Sequence, residues 1–200
     1  IVATATDVAG NVSAPVTTTF TVVASGGGSA YKINFQAQTT TTPTGYSADY
    51  GQAFDATRGY GWETTAGTPI SLVGNGRDRN VASDKRLDTF MQMQLASVAA
   101  GVHTEGRWEL VVPNGTYDVT IGVGDPSYTD SVHVLRAEGQ GFLNFTPSTA
   151  TKSSVVTKSV TVTDGRLTID ANGGTNTKIA FIEVANGGSV ADTTAPTVTV

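Results

Sequence analysis

Alternation of apolar and polar residues with a period of two runs through much of the chain. In YDVTIGV (117–123) Tyr117, Val119, Ile121 and Val123 fall on one side and Asp118 and Thr120 on the other, the pattern of a strand with one buried and one wet face. The same period marks YKINF (31–35), RWELVV (107–112), VHVLRA (132–137), VTKSVTVT (156–163), RLTID (166–170) and IAFIEV (179–184). Asn-Gly in PNG (113–115) and Asp-Gly in TDG (163–165) supply turn chemistry between such runs. LDTFMQMQLASVAAG (87–101) is ambiguous, since Leu87, Phe90, Met91, Leu95 and Val98 fit a helical stripe while Thr89, Met91, Met93 and Leu95 fit a strand. A strand through about residue 95 is the more consistent reading. Short strands at this spacing, without persuasive intervening helices, predict an all-β antiparallel sandwich or jelly roll.

The two ends read differently from the middle. Residues 1–24 hold two Thr/Val-rich runs around a DVAGN turn, which predicts a hairpin, and SGGGS (25–29) has the composition of a flexible linker. The central zone, 30–186, carries the strand pattern, and 187–200 ends in another extended Thr/Pro run. The chain opens on Ile1 already in alternation, and the expectation is a piece of a longer protein. No apolar run approaches the roughly 20 residues of a membrane helix, and no leader pattern is visible, so neither membrane insertion nor an address is expected within these residues.

Composition narrows the chemistry. Charged residues make up 14 %, glycines number 23 and the formal net charge is −5, a balance that speaks against nucleic acid, whose phosphates require a basic face. The absence of cysteine removes disulfides, thiolate catalysis and zinc–thiolate sites.

TATDVAGNVS and TTTFTV near the start resemble the closing strands of a bacterial immunoglobulin-like repeat, and DTTAPTVTV (192–200) resembles the opening strand of the next. In the centre, YKINFQ, GYGW (59–62), RDRN (77–80), RLDTFMQMQ (86–94), WELVVPNGTYDVTIGVGDPSYTDSVHVLRAEG (108–139) and NTKIAFIEV (176–184) resemble a malectin-like, galactose-binding-like β-sandwich module of bacterial secreted proteins. That resemblance implies a galactose-binding-like jelly roll, a carbohydrate-binding role with a polysaccharide or glycan as partner, immunoglobulin-like neighbours in the same chain, and a secreted or cell-surface location. The family reads sugars with aromatic residues and an Asp on loops at one end. This chain has GVGDPSYTD where malectin has its own phenylalanine and acidic pattern, so the ligand does not transfer.

The residue types needed for sugar recognition are a flat aromatic platform for C–H faces and planar polar groups for paired hydroxyls. Tyr46, Tyr50, Tyr60, Trp62 and Tyr128 stand beside Gly, Asp or Ser rather than inside alternating runs. Arg77, Asp78 and Arg79 lie in GNGRDRN, and Asp125, Asp130 and Asn176 complete the candidate set, expected to meet at one rim. Competing readings stand beside each residue: Tyr60 and Trp62 as plugs of the core, Arg77 or Arg79 as a tether to an Asp, Asp125 and Asp130 as turn caps. No cofactor is expected, with a structural calcium on Asp oxygens and loop carbonyls as an open alternative. Catalysis finds little support. Ser131 and His133 share a strand face without a nucleophile elbow, His103 and His133 lack ligand spacing, and Glu105, Glu109 and Glu138 would form a glycosidase pair only at a suitable separation. The expectation is a non-catalytic binding module; the alternative is a structural spacer or adhesin stalk. A binding module should expose at least two loop aromatics at one end, and a spacer should bury them.

Overall fold

A computed structural model of the chain describes residues 2–17, 29–95 and 100–187. Strands β1 (Val2–Ala3) and β2 (Val16–Thr17) pair antiparallel as the two alternating runs predict. The DVAGN turn between them is closed by Asp7, whose Oδ1 accepts the backbone N–H groups of Ala9 and Asn11, both at 2.9 Å. The expected continuation to residue 24, most of the linker and the C-terminal run from 188 lie outside the described residues.

The remaining strands are β3 (Ser29–Phe35), β4 (Ser47–Asp49), β5 (Tyr60–Thr64), β6 (Gly76–Asp78), β7 (Thr89–Gln92), β8 (Gly106–Val111), β9 (Gly115–Gly124), β10 (His133–Ala137), β11 (Gln140–Phe145), β12 (Ser153–Val162), β13 (Arg166–Asp170) and β14 (Lys178–Asn186). One sheet has the order β11-β10-β13-β8-β5, and the other β12-β9-β14-β3-β4, with β7 pairing the start of β14 and β6 pairing β7. All pairs are antiparallel except β3 with β4. The two inward faces enclose one core, and the fold is a β-sandwich as the alternation predicts.

Within it, several local expectations need correction. The PNG and TDG turns do not close hairpins, because each carries the chain from one sheet to the other: β8 to β9 and β12 to β13. They lie side by side, with Asn114 Nδ2 donating to the Thr163 carbonyl at 2.8 Å. The tight two-residue hairpin joins β10 to β11 instead, through Glu138 and Gly139, whose φ values of 51° and 69° are those a type I′ turn demands. The ambiguous segment is both things in turn. Lys85–Asp88 make a single helical turn, α1, N-capped by the Asp84 carboxylate, and β7 follows but ends at Gln92 rather than near residue 95. Both faces of β7 are buried, Met91 against the main core and Phe90 against Ala180 and Phe181 in a second cluster, which explains why no single period described it.

Strand β14 shows the same conflict. Ile179, Ile182 and Val184 all enter the main core, a spacing that a register shift between Ile179 and Phe181 reconciles by rotating Phe181 to the other side. Space for that ring comes from Gly122 of β9, where an added Cβ would lie 2.4 Å from Phe181 Cε1.

At the opposite side of the core sits a buried carboxylate. Asp49, at the end of β4, reaches across from the larger sheet to the smaller one and accepts the indole N–H groups of Trp62 (2.8 Å) and Trp108 (3.0 Å). Those two tryptophans face each other on β5 and β8, and Phe35 sets its edge against both. Burial pushes the Asp49 carboxyl above its ordinary value, against the pull of three N–H donors, from Trp62, Gly51 and Trp108.

Candidate functional site

Of the nine residues singled out by sequence, five converge. Strand β9 ends at Gly124, whose φ of 141° and close approach to the Lys152 carbonyl exclude a side chain. Asp125 follows in an Asx turn, its Oδ1 accepting the Ser127 N–H at 3.0 Å, and Tyr128 N donates to the Asp125 carbonyl. The loop then returns through Asp130 and Ser131 to a bridge between Val132 and Thr175.

Onto this loop Arg79 closes from beyond β6, with Nε 2.9 Å from Asp125 Oδ1 and Nη2 2.7 Å from Oδ2, a bidentate pair with a fully buried carboxylate. The guanidinium lies between two rings, with Phe90 at 5.2 Å and Tyr128 at 4.8 Å from its centre. Lys178, the first residue of β14 and itself buried, places Nζ 3.1 Å from Asp125 Oδ2 and 2.7 Å from Asp130 Oδ1. Asn176 Nδ2 donates to Asp130 Oδ2 at 3.0 Å. Two cations and two carboxylates thus neutralise one another.

The electrostatics fix these charges. Burial pushes Asp125 and Asp130 upward, but Arg79 and Lys178 hold both below their ordinary values, and the Asp125 pair raises Arg79. Neither carboxylate is poised to carry a proton near neutrality. Tyr128 is the exposed element, 54 % accessible, with one ring face against Arg79. Half of the Asp130 side chain also reaches solvent.

The other four residues lie elsewhere. Trp62 is wholly enclosed by the core and presents no face to a ligand; the reading as an exposed platform gives way to the core plug, because its indole is one half of the Asp49 clasp. Tyr60, in the same strand, is half-buried, tilted against Trp108 with the Arg58 guanidinium 5.1 Å from its ring centre. Arg77 spends its guanidinium on the carbonyls of Gly74 and Gly76 at 2.6 and 2.8 Å, and Asp78 caps the Asn80 N–H at 3.0 Å. Of the remaining tyrosines, Tyr46 packs its edge on Phe181 and donates its hydroxyl to Glu183, and Tyr50 is half-buried. One loop aromatic, Tyr128, is therefore exposed at this end, one fewer than the two expected of a binding module.

The fold is shared with a known structure. The protein YxiM of Bacillus subtilis superposes with a TM-score of 0.54 at 20 % identity, over 78 % of this chain and 39 % of that one. A β-glucuronidase of Bacteroides uniformis follows at a TM-score of 0.48 and 12 % identity, over 79 % of this chain and 18 % of that one. The chain thus spans well under half the length of either. No protein-family model and no curated protein matches its sequence. The likeness to YxiM reaches the β-sandwich and does not extend to the malectin-like family in particular.

Beneath the rim lie two residues that sequence reasoning set aside and one that it missed. Ser131 Oγ donates to the Asn176 carbonyl at 2.9 Å, and His133 Nδ1 accepts the Lys178 backbone N–H at 3.2 Å, so the pair does not form a nucleophile and base. Burial, reinforced by Lys178, depresses His133 to about 4, and its ring stacks on Phe145 at 6.0 Å. Lys178 itself carried no signal beyond being a cation before an apolar run. Among the described residues, no group of three or more His, Asp or Glu side chains is arranged to hold a metal ion.

On the smaller sheet, Glu109 and Glu63 are buried on the outward face. Arg107 Nη2 pairs with Glu63 at 3.0 Å, its Nε stands 2.9 Å from Glu109, and Arg166 reaches the second Glu63 oxygen at 3.0 Å. Thr168 ties two of the three suspected acids together, its hydroxyl donating to Glu109 and its N–H to Glu138 at 2.7 Å. Burial raises Glu109 to about 7 despite Thr168 and Arg107.

Proposed function

We propose that this chain contains a non-catalytic carbohydrate-binding module of a secreted or surface-attached bacterial protein, holding that protein on a polysaccharide or glycan. The observation that carries this reading is the Tyr128 rim. A flat ring stands in solvent, stacked on a guanidinium that is locked by a buried carboxylate, next to the half-exposed Asp130 carboxylate that Lys178 and Asn176 hold in place. A pyranose laid on the open side of the ring would meet an aromatic face and a fixed acceptor without any side chain having to be ordered on binding, which lowers the entropic cost. The run WELVVPNGTYDVTIGVGDPSYTDSVHVLRAEG, which resembles malectin-like modules as a whole, contains this loop, whose own residues differ from malectin's. Immunoglobulin-like neighbours would present the module in repeats, and avidity would raise an individual affinity in the roughly millimolar to micromolar range.

The test is a glycan array on the chain, with and without calcium. Binding to at least one glycan is expected, and Tyr128→Ala should abolish it while the protein stays folded. Binding that survives Tyr128→Ala would move the site away from this rim.

A spacer or adhesin stalk is the second reading, favoured by the burial of Trp62 and by the ties on Tyr46 and Tyr60, which leave a single exposed loop aromatic among the described residues. An array blank for every glycan would favour it.

A further inference from the structure

Next to the rim, the walls of two cavities meet. The first, about 280 Å³, has Asn176, His103 and Glu105 in its lining; the second, about 360 Å³, has Glu105, Asp170, Asn172 and Thr65. Glu105 lines both, so the two lie side by side as a groove divided at that residue, with Asn176 on one side of it and the outward face of the smaller sheet on the other. Asn176 connects this groove to the rim, since its amide nitrogen is already spent on Asp130.

The groove holds an acceptor without a donor. Asn176 is 9 % exposed, and its buried Oδ1 has no hydrogen-bond partner among the described residues. A flip of the amide does not relieve this, because it would set the oxygen against the Asp130 carboxylate. A buried acceptor left unpaired is destabilising, so a hydroxyl or ammonium donor arriving at that point is favoured.

The charge of the groove decides which donors. Glu105 makes no hydrogen bond or ion pair with any described residue, and Asp170 is engaged only by the Asn172 N–H at 2.9 Å. The one guanidinium in the lining, that of Arg107, is committed to Glu63 and Glu109. His103 has Nδ1 3.4 Å from the Leu95 carbonyl and is otherwise exposed. Two carboxylates are therefore left to face an incoming ligand, with Asn172 and Thr65 supplying neutral polar partners.

From this we infer that the Tyr128 site continues into the groove and takes an extended, hydroxyl-rich, cationic ligand, a polymer of amino sugars whose free ammonium groups meet Glu105 and Asp170 while a hydroxyl or ammonium satisfies Asn176 Oδ1. The inference rests on the carbohydrate-binding reading and adds the substrate class: several linked residues rather than a chain end, and deacetylated rather than acetylated or acidic. An uronic-acid polymer would place carboxylate against carboxylate, which disfavours binding. An acetylated amine would bring an uncharged amide and lose the ion pairs.

Calorimetric titration of the chain tests this with three probes: a glucosamine oligomer, its N-acetylated counterpart of equal length, and an oligogalacturonate. The glucosamine oligomer is expected to bind about tenfold more tightly than the acetylated one, and the oligogalacturonate to be the weakest. In Glu105→Gln/Asp170→Asn the preference should shrink to about twofold or less, with binding of the acetylated oligomer retained. Equal or tighter binding of the acetylated or acidic probe overturns the inference and leaves the module reading standing, provided that Tyr128→Ala still abolishes binding. If no glycan of any class binds, both fall together.

Discussion

Two aromatic–carboxylate assemblies sit at different places in the sandwich, and they are built from similar parts. In the core, Asp49 takes two indole N–H groups; at the rim, Asp125 takes a guanidinium that is stacked between two rings. The first is sealed, with Asp49, Trp62 and Trp108 all 0 % exposed, and it ties the larger sheet to the smaller. The second buries the acid, Phe90 and Lys178 and leaves Tyr128 and part of Arg79 in water. The difference lies in the donors. An indole N–H is a single neutral donor on a large apolar body, so pairing it is a condition for burying the ring. A guanidinium has donors to spare and a charge that resists full burial, so the acid is enclosed while the cation and its stacking partner remain at the surface.

That contrast predicts unequal costs. Asp49→Ala should destabilise the protein by about 4 kcal/mol, because two enclosed indole donors lose their acceptor and each orphan costs roughly 1–3 kcal/mol. Asp49→Asn restores one acceptor but turns an NH2 toward the other indole, and should lose about 2 kcal/mol. Asp125→Ala should cost about 2 kcal/mol, since Arg79 is free to rehydrate while buried Lys178 retains Asp130. Chemical denaturation of the three variants checks the order. If Asp125→Ala proves the most damaging, the rim rather than the clasp is the anchor of the fold.

Two buried groups of the smaller sheet should also answer pH in opposite directions. His133, below the rim, is held neutral with a folded value of about 4 against an ordinary 6.5. Between those values the unfolded chain binds the extra proton, so the contribution of His133 to stability is complete above pH 6.5 and is lost as the pH falls to about 4. Glu109, on the strand that carries Trp108, has a folded value of about 7 against 4.5. Here the folded state binds the extra proton, so stability falls as the pH rises from 4.5 to about 7. Each span corresponds to about 3 kcal/mol, and in the parent protein the two largely cancel. His133→Gln should therefore expose a stability that declines toward neutral pH, and Glu109→Gln one that increases toward it. Parallel pH profiles for the two variants would refute the assignment of opposite shifts.

How far these features were legible in the sequence follows from how local their causes are. Strand β9 was read from Tyr117, Val119, Ile121 and Val123 because over 117–121 its residues alternate between the core and a partly exposed face. Strand β5 was not, since a glycine interrupts it and Glu63 is buried on the outward face, so polarity did not mark the wet side. That misreading made Trp62 a loop residue. The short β4 and β6 have three residues each, too few to show a period, and β11 went unread although Glu138-Gly139 supplies its turn. At the rim, Asp125 and Tyr128 announced themselves through Gly, Pro and Ser neighbours, whose turn preferences are local. Lys178 and His133 did not, because their burial depends on partners 48 and 45 residues away in the chain. The groove was invisible for the same reason, its lining being drawn from β13, the segment before β8 and the loop before β14.

The smallest effect on stability is the one that bears most directly on function. Tyr128 is 54 % exposed and its ring rests on the Arg79 guanidinium, so Tyr128→Ala should change the unfolding free energy by less than about 1 kcal/mol. Trp62→Ala, which removes a fully enclosed ring and an indole donor, should cost roughly 3–5 kcal/mol. Measured side by side, the pair separates a residue kept for the outside of the molecule from one kept for its interior, though both carry a flat ring next to an Asp network. A Tyr128→Ala variant that unfolds as readily as Trp62→Ala would mean that the Arg79–Asp125 pair depends on the ring for its geometry. The stack would then be a brace for the 125–131 loop, and its exposure would no longer argue for a ligand.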